Sequence, residues 1–403
     1  MKKQILVIGT GFSGMWSALA AARLRHLEAN DTVEISVISP QPELHIRPRF
    51  YEADLSGMAP PLSALFDAAG VRHIRGSVTQ IHPQDHAVSY RDAGGAEQSF
   101  AYDRLILASG STLFRPDIPG LKEHSFNVDQ LSDAQTLERH LRSLAQRPAS
   151  KARNTVVIGG AGFTGIETAA EMPARLRAIL GEDAEVEVVL VERAQDIGPD
   201  LGAGPRPVIE QALRQHDVQL RLGQAVAAVD ANGLTTSSGE RIDADTVIWT
   251  AGARASILAA QVPGERDALG RLHVTPALRV DGTDIYATGD VAHAASDDSG
   301  NHALMSCQHA MNLGRSAGHN AMADLLGLPA IPYDQHNYVT CLALGPGNAV
   351  YTEGWNREVR MSGAEAAALK HQINTVWIYP PRADMADIVA AADPRNRPVQ
   401  YMV

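Results

Sequence analysis

Two stretches of the chain share one pattern of apolar and polar positions. In each, a short apolar run leads into closely spaced glycines and then into small, helix-forming residues. The first runs from residues 5–8 into Gly9-Thr-Gly-Phe-Ser-Gly14, and the second from residues 156–158 into Gly160-Ala-Gly-Phe-Thr-Gly165. A short apolar run bounded by glycine is typical of a buried strand. The pattern therefore predicts a strand, a tight turn and a helix, twice in one chain.

The remaining sequence alternates between strand and helix patterns. Apolar runs predict strands at residues 33–38, 103–111, 187–192, 218–222, 233–238, 246–252, 285–290 and 349–352, and a β-hairpin region over 71–90. Small and apolar residues at helical spacing predict helices at 15–27, 132–144, 306–320 and 363–371. Pro48 breaks the segment 43–51, which we interpret as a loop. Strands that alternate with helices favour an α/β fold.

The glycine spacing adds a chemical meaning to the two strand–turn–helix units. In a Gly-x-Gly-x-x-Gly fingerprint the first glycine makes the turn, the second lets the backbone approach a pyrophosphate, and the third lets the helix pack on the strand. The free N–H groups at the helix start then face the phosphates. Two such fingerprints predict two Rossmann-like dinucleotide-binding domains, and two dinucleotides in one chain suggest electron transfer between them.

The ends of the second strands distinguish the two predicted sites. An acidic residue at this position binds the ribose of NAD. The first unit has Ser39-Pro40 there, which makes NAD less favoured and leaves room for another adenine nucleotide, with the Ser39 hydroxyl as a weaker ribose partner. The second unit has Glu192, which favours NADH because it repels the 2′-phosphate of NADPH. The adjacent Arg193 keeps NADPH possible.

Composition and charge exclude several classes of protein. A chain of 403 residues with 45% hydrophobic and 20% charged residues is typical of a globular protein with two or three domains. The net charge of −11 argues against a nucleic-acid partner. No apolar run is long enough for a transmembrane segment, and the two cysteines are too few for a disulfide framework. We therefore expect a cytoplasmic protein and leave peripheral contact with the inner membrane face open.

Several further residues stand where a cofactor would lie. Arg47, in the loop over 43–51, is expected near a pyrophosphate or a ring, although a solvated basic turn remains the alternative. Gly289-Asp290 ends a strand, so its carboxylate could reach a polyol chain, or the pair could be an ordinary turn. Ser306 stands at the predicted N-cap of a helix whose start would stabilise negative charge.

Taken together, these segments resemble the two-dinucleotide flavoproteins, and among them the type II NADH dehydrogenase-like family. The resemblance covers about residues 3–325. It is carried by the two fingerprints, by Ala108-Ser-Gly110, by Ala287-Thr-Gly-Asp290 and by Cys307-Gln-His-Ala-Met-Asn-Leu-Gly314. The last segment resembles the family's Ala-Gln-x-Ala-x-Gln-x-Gly quinone and flavin motif. Cys307 stands for alanine in it, and Asn312, one methylene shorter, for the second glutamine.

The resemblance implies FAD in the first site, NADH in the second, hydride transfer to flavin N5 and a quinone as electron acceptor. The expected flavin contacts are Gly9, Gly11, Phe12, Ser13, Gly14, Ser39, Pro40, Arg47, Val78, Ser109, Gly110, Gly289, Asp290, Ser306, Cys307 and Gln308. The expected NADH contacts are Gly160, Gly162, Phe163, Thr164, Gly165, Glu167, Glu192, Arg193 and Gly252. Gln308, Asn312 and Glu167 are the catalytic candidates. Glu167 is read either as orienting the nicotinamide or a proton path, or as a favourable charge on a helix N-terminal turn.

The expected domains are an FAD-binding domain of residues 1–115 and 282–330, an NAD(P)H-binding domain of 116–281 and a small C-terminal α+β segment of 331–403. The last residues, from 388, lack the basic amphipathic helix of membrane-bound family members. Two other functions therefore stay open. One is a soluble NAD(P)H-dependent reductase of a small-molecule metabolite or an electron-carrier protein, and the other is a flavin redox sensor without turnover. A homodimer is also left open, as is a redox role for Cys307 and Cys341, which are otherwise two small buried hydrophobes.

Overall fold

The computed structural model describes residues 2–395. Its strands are β1 (Lys3–Ile8), β2 (Val33–Ser39), β3 (Arg72–His82), β4 (Ala87–Asp92), β5 (Glu97–Ala101), β6 (Arg104–Leu107), β7 (Ser111–Leu113), β8 (Thr155–Gly159), β9 (Glu187–Glu192), β10 (Val218–Leu222), β11 (Val226–Asp230), β12 (Gly233–Thr236), β13 (Arg241–Asp243), β14 (Thr246–Trp249), β15 (Ala253–Ala255), β16 (Leu272–His273), β17 (Ile285–Ala287), β18 (Ala292–His293), β19 (Val339–Ala343), β20 (Ala349–Glu353) and β21 (Glu358–Gly363). Its α-helices are α1 (Phe12–Leu27), α2 (Ser63–Ala69), α3 (Leu121–His124), α4 (Leu131–Leu144), α5 (Phe163–Leu180), α6 (Arg206–Gln215), α7 (Cys307–Leu326), α8 (Ala364–Gln372) and α9 (Met385–Ala391).

The first large sheet has seven strands in the order β17-β6-β1-β2-β3-β4-β5. The strands from β17 to β3 are parallel, and β3, β4 and β5 form an antiparallel meander. Residues 5–8 of β1 are at most 4% exposed, because layers of side chains cover both faces of this central strand. The sheet combines strands from both ends of the chain, since β17 joins β6 after an interval of about 180 residues.

A second sheet of four parallel strands follows the order β10-β9-β8-β14. Helices α5 and α6 pack on it, and their apolar residues join the main core. The strands are continuous runs of valine, isoleucine and leucine, as expected when both faces of a parallel sheet are covered. Both large sheets and their helices form the two-dinucleotide-binding flavoprotein fold, so the predicted α/β fold is confirmed.

The last described segment is a three-stranded antiparallel sheet, β19-β20-β21, with α8 packed on it. A π-helical turn, Ile373–Trp377, follows α8. This segment contacts the first helix of the second fingerprint, since β19 packs against α5. We propose the domain division given above on this arrangement of sheets; residues 396–403 of the third unit lie outside the described residues.

Helices α1 and α7 approach each other closely at two glycines. A Cβ on Gly314 would lie 2.4 Å from the backbone oxygen of Ser13, and one on Gly318 would lie 2.0 Å from that of Ser17. The Ser17 hydroxyl also donates to the carbonyl of Gly314 at 3.1 Å. Because no other residue fits this spacing, the two glycines bring the start of α7 to the start of α1.

The predicted helices and strands are confirmed, with small changes at their ends. Residues 43–51 form a loop as predicted, apart from a 3₁₀ turn over Arg47–Arg49. The strand predicted over 233–238 ends at Thr236, and the helix predicted over 306–320 continues to Leu326. No helix among residues 2–395 has the length and apolar character needed to cross a membrane.

Candidate active site

The first fingerprint folds as a turn in which the protein's own backbone requires the first and the third glycine. Gly9 has a φ of +101°, and a Cβ there would lie 2.6 Å from the carbonyl oxygen of Ala108. A Cβ on Gly14 would lie 2.0 Å from the oxygen of Gly9, whereas one on Gly11 would meet nothing within 4 Å. The backbone therefore leaves no space for a side chain at Gly9 or Gly14, whereas the space in front of Gly11 is open. This is the shape that a dinucleotide pyrophosphate needs at a helix start.

The second fingerprint repeats this geometry at the other sheet. Gly160 has a φ of +106° and faces Ala251, as Gly9 faces Ala108. A Cβ on Gly165 would lie 1.8 Å from the oxygen of Gly160, and the space in front of Gly162 is open. Phe163 and Thr164 begin α5, as Phe12 and Ser13 begin α1. The strand opposite each fingerprint ends in a glycine of positive φ, namely Gly110 at +68° and Gly252 at +83°.

The strand-end residues differ in what they offer a ribose. Glu192 is 7% exposed and accepts hydrogen bonds from the backbone N–H groups of Ala161 at 2.8 Å and Ala194 at 2.9 Å. Its carboxylate therefore lies at the second glycine turn, and Arg193 is exposed beside it. Ser39 donates its hydroxyl proton to the carbonyl of Gln41 at 2.6 Å, accepts from the Thr10 hydroxyl at 3.2 Å and lies 2.9 Å from His73 Nε2. Its hydroxyl is thus already bonded within the protein, which makes it a weaker ribose partner than the carboxylate of Glu192.

Two buried hydroxyls at the carboxyl edge of the first sheet lack partners within the described chain. They are Ser109 Oγ, after β6, and Thr288 Oγ1, after β17. Each precedes a glycine of positive φ, and a Cβ on Gly289 would lie 2.5 Å from Ser13 Oγ. Buried hydroxyls normally have a hydrogen-bond partner. This edge of the sheet therefore fits a polar group such as the flavin nucleotide.

Asp290 belongs to a charged network that joins the 43–51 loop to this edge. Its carboxylate accepts a hydrogen bond from Ser111 Oγ at 2.6 Å and lies 3.6 Å from a guanidinium nitrogen of Arg47. Arg47 also pairs with Asp129. The structure thus pairs Arg47 with two carboxylates and leaves its side chain 32% exposed. The contact of Arg47 with a cofactor stays a prediction. Val78 lies on β3 and packs against the apolar cluster around β1 and β6, and Pro40 is exposed at the end of β2.

The start of α7 lies next to this network, as the first fingerprint and α7 are held together by Gly314. Ser306 caps the helix, with its hydroxyl accepting from the backbone N–H of His309 at 3.4 Å.

Burial raises the pKa of the Cys307 thiol to about 11, and that of Cys341 to about 11 as well. Both cysteines are free thiols. Thiols that stay protonated at neutral pH are poor nucleophiles, which favours the small-hydrophobe interpretation.

The two amide side chains of the predicted quinone motif meet at a third amide. Gln335, 4% exposed, accepts from Asn312 Nδ2 at 2.9 Å and from the Tyr333 hydroxyl at 3.0 Å, and it donates to Gln308 Oε1 at 3.4 Å. Asn312 also accepts from Arg315 at 3.0 Å, so both ends of its amide have protein partners. The sequence gives no signal for Gln335, which lies 23 residues beyond Asn312 in a segment without regular structure.

Glu167 forms a buried ion pair with the C-terminal sheet segment. Its carboxylate lies 2.8 Å from Lys370 Nζ of α8 and accepts from the backbone N–H of Ala343 at 3.0 Å. Burial raises the pKa of Glu167, and the ammonium of Lys370 opposes part of that rise. Glu167 lies beyond the first turn of α5, so its interpretation as a charge on a helix N-terminal turn is wrong. Sequence reasoning missed Lys370, because the pair joins residues 203 positions apart.

A model of the pyridine nucleotide-disulphide oxidoreductases matches residues 3–314 of this chain. The chain belongs to this family. A NADH dehydrogenase-like protein of Mycobacterium tuberculosis is 47% identical over 401 residues, which cover 98% of this chain and 99% of that protein. The demethylphylloquinone reductase NdbB of Synechocystis is 29% identical over 391 residues, covering 94% and 93%. Among solved structures, NDH2 from Plasmodium falciparum in complex with NADH has a TM-score of 0.75 at 14% identity and covers 94% and 96%.

Family membership and the two glycine turns together establish the general activity. The protein is an NAD(P)H-dependent flavin oxidoreductase, related to NADH dehydrogenases. The likeness to the solved structure adds the fold alone, since its identity is low. The individual site residues listed above stay predictions about ligand contacts, although the structure brings those of each fingerprint to one edge of one sheet.

Proposed function

We propose that the protein is an NADH:quinone oxidoreductase that uses FAD. One observation carries the proposal. The two glycine turns have the same geometry, but only the second has a buried carboxylate, Glu192, at the end of the neighbouring strand. A carboxylate at this point accepts hydrogen bonds from the ribose hydroxyls of NADH and repels the extra phosphate of NADPH. The first turn, with Ser39 in that place, is left for the flavin nucleotide. The bound flavin supplies the redox chemistry, accepting a hydride from the nicotinamide and giving electrons onward.

In the flavin site, the protein's own residues hold charge in place. The backbone of Gly9–Gly14 would hold the pyrophosphate, and Asp290, oriented by Ser111, would accept hydrogen bonds from the ribityl hydroxyls. The N-terminus of α7, capped by Ser306, would stabilise negative charge at the pyrimidine side of the reduced ring.

Glu167 and Lys370 are suited to hold the proton that quinone reduction consumes. The pair is buried. Desolvation lowers the pKa of Lys370, but the charge of Glu167, its hydrogen bond and the neighbouring thiols together raise this pKa above its usual value, so the ammonium is retained. A quinone becomes a quinol only by taking up protons, and a buried site needs a group that stores one. The demethylphylloquinone reductase among the relatives supports a quinone as the acceptor.

The amide network divides the roles of Gln308 and Asn312. Within residues 2–395 the Gln308 side chain has one hydrogen bond, which its oxygen accepts from Gln335, so its N–H groups would be available to a quinone carbonyl. Asn312 is held at both ends by Gln335 and Arg315, so it positions that network instead of binding the acceptor. The shorter side chain of Asn312, compared with the glutamine of the family motif, is therefore compatible with a quinone site.

The acceptor is tested by mixing NADH-reduced enzyme with a short-chain quinone under anaerobic conditions and with oxygen in a parallel experiment. We expect reoxidation by the quinone to be much faster than by oxygen, and Gln308→Ala to slow only the quinone reaction. Gln146→Ala, an exposed glutamine at the end of α4, is the matched control. Sluggish reoxidation by quinone after fast reduction by NADH would instead favour a reductase with another small-molecule or protein acceptor.

A further inference from the structure

The hairpin turn between β20 and β21, residues 354–357, reaches the beginnings of both α5 and α7. The guanidinium of Arg357 lies 5.9 Å from the ring of Phe163, which directly follows Gly162 of the second fingerprint. It lies 4.8 Å from the ring of Tyr338, and Tyr338 in turn contacts His309 in the first turn of α7 with ring centroids 5.2 Å apart. The C-terminal segment thus forms a wall beside the second fingerprint.

Arg357 is a buried cation without an anionic partner in the described chain. It is 7% exposed, its guanidinium donates one hydrogen bond, to the Tyr338 hydroxyl at 3.0 Å, and no carboxylate of residues 2–395 lies within ion-pair distance. The other buried arginines are satisfied differently: Arg175 pairs with Glu138 and Arg271 with Asp267. Arg315 instead donates to two oxygens and covers the Trp16 ring. Burying a charge with so few hydrogen-bond partners costs free energy unless a ligand supplies the missing partners.

Two further features of the same turn point to a ligand. The indole N–H of Trp355 is buried and has no partner in the described chain, although its ring stacks on Tyr338 with centroids 4.6 Å apart. Arg357 itself adopts a φ of +57°, which a non-glycine side chain rarely does. Such strain is kept where the surrounding structure holds a side chain for a purpose. The backbone of Arg357 packs directly on Gly204, where a Cβ would lie 2.5 Å from its oxygen.

We propose that Arg357 binds the diphosphate of NADH from the C-terminal side of the second site, opposite the N–H groups at the start of α5. The inference rests on the proposed use of NADH and adds a residue that no glycine fingerprint contains. A guanidinium matches two phosphate oxygens at once, and the open space in front of Gly162 is where the diphosphate would lie. The same cation, set over Tyr338 and next to Phe163, would be held in place before the ligand arrives.

The test compares two hydride donors on the FAD-loaded enzyme: NADH, and 1-benzyl-1,4-dihydronicotinamide, which lacks a diphosphate. For Arg357→Gln we expect the dissociation constant for NADH, from anaerobic stopped-flow reduction, to rise about 10- to 100-fold, as for a lost charged hydrogen bond. The rate with the benzyl compound should stay unchanged. The salt dependence of NADH binding should also weaken, because one attractive charge is gone.

Arg360→Gln is the matched control, since Arg360 lies on the same hairpin but is exposed and pairs with Glu353. Arg357→Lys keeps the positive charge but loses the paired N–H groups of the guanidinium, so it should weaken NADH binding less than Arg357→Gln does. If Arg357→Gln does not retain FAD, NADH binding by Arg357→Lys tests the inference instead. An equal loss for both donors, or no loss for NADH, would overturn the inference and leave Arg357 as a packing residue. Failure of the unaltered enzyme to be reduced by NADH, while the benzyl compound reduces it, would overturn the proposed function and this inference together.

Discussion

At the scale of single residues, the candidate site contains two buried carboxylates, and each of them has two protein partners. Glu192 is held by two backbone N–H groups, and Glu167 by Lys370 and one N–H group. A carboxylate in such a place is costly to bury unless each of its oxygens is satisfied. Substitution of either residue is therefore expected to change both its local contacts and its chemical role.

Glu192→Gln is expected to change the choice between the two nicotinamide dinucleotides. The substitution removes the negative charge that repels a 2′-phosphate while keeping one oxygen for the backbone N–H groups. We expect kcat/KM with NADPH relative to NADH to rise by about tenfold or more, a free-energy difference of about 1.4 kcal/mol. Steady-state kinetics with both dinucleotides measure it. An unchanged ratio would mean that Glu192 does not face the ribose; Glu187→Gln, at the other end of β9, is the control.

Glu167→Gln is expected to slow quinone reduction about 100-fold, because the pair then no longer positions the proton that Lys370 holds. Reduction of the flavin by NADH should not change, since that step needs no protein acid. Stopped-flow measurement of the two half-reactions separates them. Loss of the carboxylate also leaves the Lys370 ammonium buried alone, which should cost about 3–5 kcal/mol of stability.

A second variant distinguishes chemistry from stability in that experiment. Glu167→Gln combined with Lys370→Met removes both charges, so we expect most of the stability to return in chemical denaturation while quinone reduction stays slow. Glu171→Gln, one turn further along α5, is the control for a carboxyl group without this ion pair. Recovery of turnover in the double variant would contradict a proton-holding role.

At the scale of elements, the glycines of α7 matter as much as those of the fingerprints. The fingerprint glycines could be predicted from the sequence, because their spacing is local. The first and third glycine of each fingerprint make a close contact within a few residues or after a strand end, and the space in front of the middle one is open. Gly314 was recognised only as part of a motif, and its contact with Ser13 was not predictable, since it joins helices about 300 positions apart. The same is true of Lys370, Gln335 and Arg357, which reach the site from the C-terminal segment by packing.

Gly314→Ala is expected to push α7 away from α1. The added Cβ would meet the backbone oxygen of Ser13 at 2.4 Å, a contact that neither helix can relieve by a side-chain rotation. We expect a loss of about 1–3 kcal/mol of stability and a lower FAD content in the purified protein. Thermal unfolding and the flavin-to-protein absorbance ratio measure these effects. Gly94→Ala, in an exposed turn, should change neither, and normal FAD content in Gly314→Ala would argue against the role given to this helix contact.

At the scale of the whole molecule, three units contribute to one site. In the proposed function the first sheet carries the turn for the flavin nucleotide and the second sheet the turn for NADH. The C-terminal segment supplies Lys370, Gln335 and Arg357 around the starts of α5 and α7. The alternation of strands and helices made the α/β fold predictable. The contribution of the C-terminal segment to the site could not be predicted, because the spacing of its polar residues matches no ligand-binding motif.

The central claim is that electrons pass from NADH to a flavin bound in the same chain. Anaerobic titration of the purified, FAD-loaded protein with NADH, followed by the visible absorbance of oxidised flavin, tests it most directly. We expect one equivalent of NADH per bound FAD to remove this absorbance in a single reductive half-reaction, and NADPH to do so far more slowly. Flavin that stays oxidised in excess NADH, in protein that dithionite reduces normally, would contradict it and favour a flavin-binding sensor without turnover.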